Sequence, residues 1–178
     1  MGDGPGGLSA ALFLAKADHS VTVFGQDKTV MHYAYLYNYL GVPEISGSEF
    51  QQRSRAQVTA LGANLVDEQV SAVSATGGGF EVTTESGSHT ADYLILSEGK
   101  GATLTASLDL ATEDEAVVVD RDGRTSMPKV YVIGRSARPA RSQAIISAGD
   151  GAAAALDILS EIAGSDVQDW DSPPKDGE

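Results

Sequence analysis

Gly2-Asp3-Gly4-Pro5-Gly6-Gly7-Leu8-Ser9-Ala10-Ala11-Leu12-Phe13-Leu14-Ala15-Lys16 decides the fold class. Gly2, Gly4 and Gly7 give the spacing G-x-G-x-x-G, and the residues from Leu8 onward are strong helix formers, so a glycine loop opens a helix. Each glycine has a physical task. The first permits a tight turn, the second lets a pyrophosphate approach the backbone, and the third lets helix and strand pack closely. The helix N-terminus then faces the anion with free N–H groups. Ser20 to Phe24, β-branched and short, reads as a buried strand after a turn at Asp18-His19. Loop, helix and strand make half of a βαβ unit and point to dinucleotide binding; a glycine-rich turn without a ligand is the alternative. No strand-like run precedes the loop. The expectation is therefore either a few upstream Val/Ile-rich residues or another segment filling that central place in the sheet.

An acidic residue about 20 positions beyond the loop is the usual partner for a ribose hydroxyl. Here that position is Gly25, followed by Gln26 and Asp27. Gly25 would let an adenosine approach closely, with Gln26 or Asp27 supplying polar contacts; a plain turn is the equal alternative.

Further along, Tyr33, Tyr35, Tyr37 and Tyr39 alternate, so an extended backbone would place all four on one face. Ser46-Gly47-Ser48-Glu49 has the form of a capping box and predicts a helix to about Leu61, ended by Gly62. Leu65-Val66, Gln69 to Ala75, Gly79 to Thr84 and Asp92 to Leu96 read as strands of a small β-meander returning to the main sheet. Val117 to Val119 and Val130 to Ile133 are two more candidate strands, the second ending in Gly134. Ser142 to about Ala163 is an Ala-rich helix. The expected organisation is one α/β domain over residues 1–164, a doubly wound parallel sheet of Rossmann-like type, with an acidic, disordered tail over 165–178.

Composition excludes much chemistry. Among 178 residues there is no Cys, so within this sequence disulfides, thiolate nucleophiles, Cys-ligated metals and a dithiol relay are ruled out. Twenty-five acidic residues against twelve basic ones give a net charge of −13, which disfavours nucleic acid and anionic membranes. The dispersed acid reads as a salt-adapted cytoplasmic surface, with an ordinary acidic protein as the alternative. Against that charge, Arg135, Arg138 and Arg141 fall within seven residues just ahead of the last helix, an arrangement suited to an anion; arginines paired to local carboxylates are the alternative, with Asp150 a candidate partner. His19, His32 and His89 have no metal-like spacing, and only His32, beside the tyrosines, invites suspicion. No metal site is expected.

Four motifs in order carry a resemblance. Gly2 to Ala11 resembles the FAD-binding start of the low-molecular-weight thioredoxin reductase family. Asn38-Tyr39-Leu40-Gly41-Val42-Pro43 with Ile45-Ser46-Gly47 resembles its segment passing the flavin ring. Tyr93 to Gly99 resembles its strand ending in Ala-Thr-Gly. Val130 to Arg135, then Arg141-Ser142-Gln143 and Ala148 to Ala154, resembles its closing flavin-contact strand and helix. The resemblance implies FAD as cofactor, with NAD(P)H as a transient second nucleotide. It places Gly2, Asp3, Gly4, Pro5, Gly6 and Gly7 at the pyrophosphate, Gly25 and Gln26 on the adenosine side, Asn38 near the ring, and Gly134, Arg135, Arg141, Ser142 and Gln143 around the ribityl and pyrimidine end. Two departures stand out: Glu98 replaces a Thr, and Arg135 replaces an Asp. About thirty residues separate Gly99 from Val130, where the family carries an NADPH domain with its Cys pair. The expectation is a FAD-dependent oxidoreductase without its own disulfide relay, served by a redox partner protein or a small-molecule electron donor or acceptor, with a homodimer as one assembly. The alternative is a non-catalytic nucleotide-binding or interaction module.

Overall fold

A computed structural model of the protein describes residues 1–173. Helix α1 runs over Pro5–Lys16, starting directly from the glycine loop with Pro5 in the first turn, where its lack of an N–H costs nothing. It leads to strand β1, Thr22–Phe24. A 3-10 turn over Val30–Tyr33 and a two-strand ribbon, β2 Tyr35–Leu36 and β3 Ile45–Ser46, precede helix α2, Gly47–Ala60. Ser46 caps α2 as its sequence predicts, its hydroxyl accepting from the Glu49 N–H at 3.2 Å. Strand β4, Asn64–Val66, then pairs in parallel with β1.

The meander follows as three antiparallel strands, β5 Val70–Ala75, β6 Phe80–Thr84 and β7 Gly87–Ala91. Strand β7, built from Gly-Ser-His-Thr-Ala, carried no β signal of its own and is held by its pairing with β6. Next come β8 Leu94–Leu96, the five-residue helix α3 Thr103–Ser107, and the antiparallel pair β9 Thr112–Glu113 and β10 Ala116–Val117. Strand β11, Val130–Val132, returns parallel to β8, and α4 spans Ala144–Ala163. None of the described helices is long and apolar enough to cross a membrane.

The two parallel pairs, β1 with β4 and β8 with β11, are bridged by Met1 and Gly2. The Gly2 N–H donates to the Phe24 carbonyl at 2.8 Å, the Met1 carbonyl accepts from Ser97 N–H at 2.8 Å, and the Met1 amino group donates to the Ile95 carbonyl at 2.7 Å. This gives the parallel order β4, β1, Met1–Gly2, β8, β11. Among the described residues no other segment enters the central place, so of the two sequence expectations the second is corrected.

One face of this sheet carries α1 and α4, packed closely because Gly6 and Gly151 meet: a methyl at Gly151 would lie 2.1 Å from the Gly6 carbonyl oxygen. The other face packs on the meander and α3 through Phe24, Phe80, Val82, Leu94, Leu96, Leu104 and Val132. Two expectations need correction. The tyrosines do not form one stripe: Tyr33, Tyr35 and Tyr37 stay outside, the last two with ring centroids 4.8 Å apart, while Tyr39, whose carbonyl accepts from the Val42 N–H in a turn, packs in against Phe50 at 5.0 Å. The tail is not loose over 165–173, since Lys16 binds Asp169 at 2.9 Å and Asp171 at 2.6 Å, and the Val167 N–H donates to Ser160 at 2.9 Å. Residues 174–178 lie outside the described residues.

Candidate cofactor site

Two helix N-termini frame the site. Gly4 sits at the N-cap of α1 in an extended conformation with no side-chain cap, and no acid lies in the first turn, so the leading N–H groups keep their partial positive charge. A methyl at Gly4 would meet only the Thr29 hydroxyl at 3.6 Å, so the backbone there is open to a ligand. Gly2 and Gly7 have no such freedom. Gly2 has φ +95° and lies against the Ser97 carbonyl, and a methyl at Gly7 would fall 1.9 Å from the Gly2 carbonyl oxygen. Gly2 and Gly7 thus make the turn and the close packing expected of their spacing, and the backbone at Gly4 is left open.

Helix α4 begins beside them, its N-terminus also free of a side-chain cap and of acid in its first turn. Gly6 faces Ser97 and the Ser147 carbonyl, and Gly134, at φ +67°, faces the Ser147 hydroxyl. A continuous rim results: Gly4, Thr29, the 3-10 turn, Asn38, Gln143 and the start of α4. The Asn38 amide donates to the Gln143 side-chain oxygen at 3.1 Å, joining two predicted ring-side residues 105 positions apart. Ser142, next to Gln143, is exposed, as are Arg135 and Arg141.

The arginine trio separates by role. Arg138 is paired with Asp150 at 3.0 Å, and Asp150 also accepts from the Gly134 N–H at 3.3 Å. Arg141 reaches only the Ala140 carbonyl, and Arg135 has no ion pair among the described residues. The local-carboxylate alternative therefore holds for Arg138, and two guanidinium groups stay available to an anion.

The adenosine side is built differently from its sequence pattern. Asp3 is buried, its carboxylate bound to the Arg55 guanidinium and accepting from the Asp27 N–H at 3.0 Å. Arg55 reaches on to Asp67 at 2.6 Å. Gly25 lies against this carboxylate so closely that any side chain there would overlap it. The acid absent at Gly25 is thus present in space, delivered from the glycine loop. The Asp3 carbonyl accepts from Gln51 at 2.6 Å, while its side chain faces Arg55. Gln26 is exposed and accepts from Lys28 at 3.2 Å. His32 bonds Ser48 at 2.9 Å and the Asp27 carbonyl at 2.8 Å, tying the 3-10 turn to its neighbours.

Glu98, one of the two departures, has a local task. Its carboxylate accepts from Leu104 N–H at 3.0 Å and Thr105 N–H at 2.9 Å, capping α3 and so fastening the linker that follows. Sequence reasoning missed this, although an acid five residues before a Thr-Leu-Thr run is the available signal.

The residues present fit the pyrophosphate of FAD: an open backbone at Gly4, two uncapped helix N-termini, and two free guanidinium groups. At Arg135 they offer a cation where a carboxylate would accept from a ribityl hydroxyl.

The family model described as pyridine nucleotide-disulphide oxidoreductase matches residues 41–151. Thioredoxin reductase 2, mitochondrial, of Saccharomyces cerevisiae is 32% identical over 118 residues, covering 57% of this chain and 34% of the yeast protein. A thioredoxin reductase of Streptomyces clavuligerus is 28% identical over 161 residues, covering 78% of this chain and 50% of the relative. The chain thus spans between a third and a half of the length of these curated relatives. Among solved structures, a thioredoxin reductase from Gloeobacter violaceus superposes with a TM-score of 0.81 at 18% identity, covering 97% of each chain. The atypical thioredoxin reductase TRi from Desulfovibrio vulgaris Hildenborough superposes with 0.76 at 20% identity, covering 92% of this chain and 96% of that one. At these identities the superpositions speak to the fold.

Proposed function

Because the chain belongs to the pyridine nucleotide-disulphide oxidoreductase family, we propose that it is the flavin-holding unit of an oxidoreductase whose electrons enter and leave through a separate partner or a small molecule. The cofactor is FAD, which supplies the redox chemistry when bound. The observation that carries this reading is the Asn38–Gln143 hydrogen bond, which brings the ring-side segment onto the N-terminus of α4, beside the α1 loop.

The chain's own residues bind and orient. The N–H groups that open α1 and α4 act on the pyrophosphate with Arg135 or Arg141, an attraction that screening by salt weakens. Asn38 and Gln143 offer amide donors and acceptors to the polar edge of the ring, and their mutual bond fixes both rotamers. Tyr35 and Tyr37, tilted against each other at 38° and exposed at the outer side of this segment, present an aromatic surface to an incoming partner or nicotinamide.

With no Cys in these 178 residues, this chain cannot pass electrons to a disulfide through its own dithiol. The holoprotein should therefore show negligible NADPH-dependent reduction of thioredoxin or artificial disulfides, while slow direct bleaching of the flavin by NADH or NADPH remains compatible with the exposed tyrosine face. Anaerobic mixing with each nicotinamide, followed at the flavin band, measures this beside a disulfide assay. Robust disulfide turnover by the chain alone would overturn the reading. The rival, a non-catalytic nucleotide-binding module, is favoured by Arg135 standing where a carboxylate would hold the ribityl chain. A flavin that binds but is never bleached and reoxidised would select it.

A further inference from the structure

The carboxylate that faces the end of β1 comes from the glycine loop, and three observations bear on what it does there. The first is space. Gly25, directly after β1, has a negative φ that suits any residue, yet a Cβ built on it would lie 2.5 Å from Oδ1 of Asp3, and its three nearest neighbours would all be Asp3 side-chain atoms. Glycine stands at this position because Asp3 fills the volume that a side chain would take.

The second is orientation. Oδ2 of Asp3 accepts from the Arg55 guanidinium and from the Asp27 N–H at 3.0 Å, so α2 and the turn after β1 grip the same oxygen. Oδ1 is left over. Among the described residues no group donates to it, although the side chain is only 7% exposed, and it lies where a side chain at the strand end would project. A carboxylate oxygen so withdrawn from water gains from any donor brought to it. The third is support. Arg55 reaches Asp3 with one terminal nitrogen and Asp67 with the other, at 2.6 Å, so the carboxylate cannot turn without breaking a two-ended ion pair.

An adenosine ribose is bonded directly to its diphosphate, so a ribose ligand must stand beside the glycine that the diphosphate approaches; Asp3 immediately precedes Gly4. An acid at the strand end ordinarily serves that ribose. We propose that the Asp3 carboxylate, through Oδ1, accepts a hydrogen bond from the 2′-hydroxyl of the cofactor's adenosine ribose, with Arg55 as its positioning residue and Gly25 leaving it room. The inference rests on FAD as the occupant with its diphosphate at Gly4, and it moves Asp3 one group along the cofactor from the pyrophosphate, where the resemblance places it. The ribose ligand and the glycine at the strand end have then exchanged places, so neither can change alone.

The test measures binding of ADP and of 2′-deoxy-ADP to the 178-residue chain by titration calorimetry, with FAD titrated in parallel. Expected is a preference of about tenfold for ADP, the size of one hydrogen bond to a charged acceptor. Asp3→Gly should bind both nucleotides at the weaker affinity; if it does not fold, Asp3→Ser takes its place. Gly25→Asp alone should lower the urea midpoint by crowding Asp3. Combining Asp3→Gly with Gly25→Asp should restore both the midpoint and the preference, because the strand-end acid enters the vacated volume. Arg55→Met lets the carboxylate turn and should narrow the preference, and Arg55→Lys should restore part of it. Equal affinity for the two nucleotides in the unmodified chain, an undiminished preference in Asp3→Gly, or a double variant that regains stability without the preference, as a purely structural ion pair would give, would each overturn the proposal. A chain that binds FAD without distinguishing the two ADP probes removes this inference and leaves the cofactor reading standing; a chain that binds neither FAD nor ADP removes both.

Discussion

The two ends of the central sheet are built from the same strands and solve opposite problems. At the loop end, Gly2 closes onto Phe24 and Ser97 onto Met1, and three glycines bring α1, the sheet and α4 to contact distance. At the other end, β1 and β8 stand apart across a cavity with the Met1 ammonium between them. The difference teaches how local the glycine loop's geometry is: Met1 and Gly2 bond to both halves of the sheet and hold the loop between them. At the loop end Gly2, Gly6 and Gly7 leave no room for a methyl, whereas the other end keeps a cavity and a buried charge.

Adding one methyl at the tight end should have the largest effect. Gly151→Ala places a carbon 2.1 Å from the Gly6 carbonyl and 3.0 Å from the Ala10 nitrogen, so the helices must part, at a cost of about 3 kcal/mol. Gly149→Ala, in the same helix with nothing within 4 Å, should instead gain about 0.5–1 kcal/mol from helix propensity. Urea unfolding of both variants separates packing from propensity, and equal midpoints would erase the contrast between helix faces.

The cavity end should respond to pH. Burial lowers the Met1 ammonium from 8.0 to about 6, with Glu98 and Asp3 opposing the shift. The unfolded chain therefore binds more protons between pH 6 and 8, so stability rises across that window. Above pH 8 both states are neutral and the penalty is absent; below 6 it is fully present, at about 2–3 kcal/mol for two units. Urea midpoints at pH 5.5 and 8.5, for the free chain and an Nα-acetylated one, check this: acetylation should flatten the slope.

How much of this was legible beforehand follows from locality. The loop, α1, the Ser46 cap and β11 are written in adjacent residues, and they form where their patterns place them. Strand β7 was not legible, because its register comes from β6. The tyrosine stripe failed at its far end: the Tyr39 carbonyl accepts from the Val42 N–H in a turn that sends its ring in against Phe50, while Tyr33, Tyr35 and Tyr37 stay exposed. At the site, the glycines were readable as a motif, and Asn38 and Gln143 were each singled out, but their hydrogen bond to one another was not foreseen. The transfer of the acid from Gly25 to Asp3 was not, since only the fold shows that these two residues contend for one volume. Glu98, which looked like a loss, is a cap.

Two smaller effects sharpen the same contrast. Glu98→Ala leaves the Leu104 and Thr105 N–H groups without their acceptor and should cost about 1–2 kcal/mol, raising amide exchange in α3 while leaving flavin affinity unchanged. Tyr131→Phe removes the 2.7 Å bond from a buried phenol to Asp157 and should cost about 1 kcal/mol by urea unfolding, since Asp157 keeps Arg124 as partner.

The central claim, that FAD lies across the uncapped starts of α1 and α4 with its pyrophosphate at Gly4, is tested most directly by flavin titration of the chain and of Gly4→Glu. A side chain there starts into open space, its Cβ meeting only the Thr29 hydroxyl at 3.6 Å, so the fold should survive with an unchanged circular dichroism spectrum. The account predicts stoichiometric FAD binding by the unmodified chain and at least a hundredfold weaker binding by the variant, because the added charge and bulk fall where the pyrophosphate must approach. Equal FAD affinity in the two proteins would contradict it.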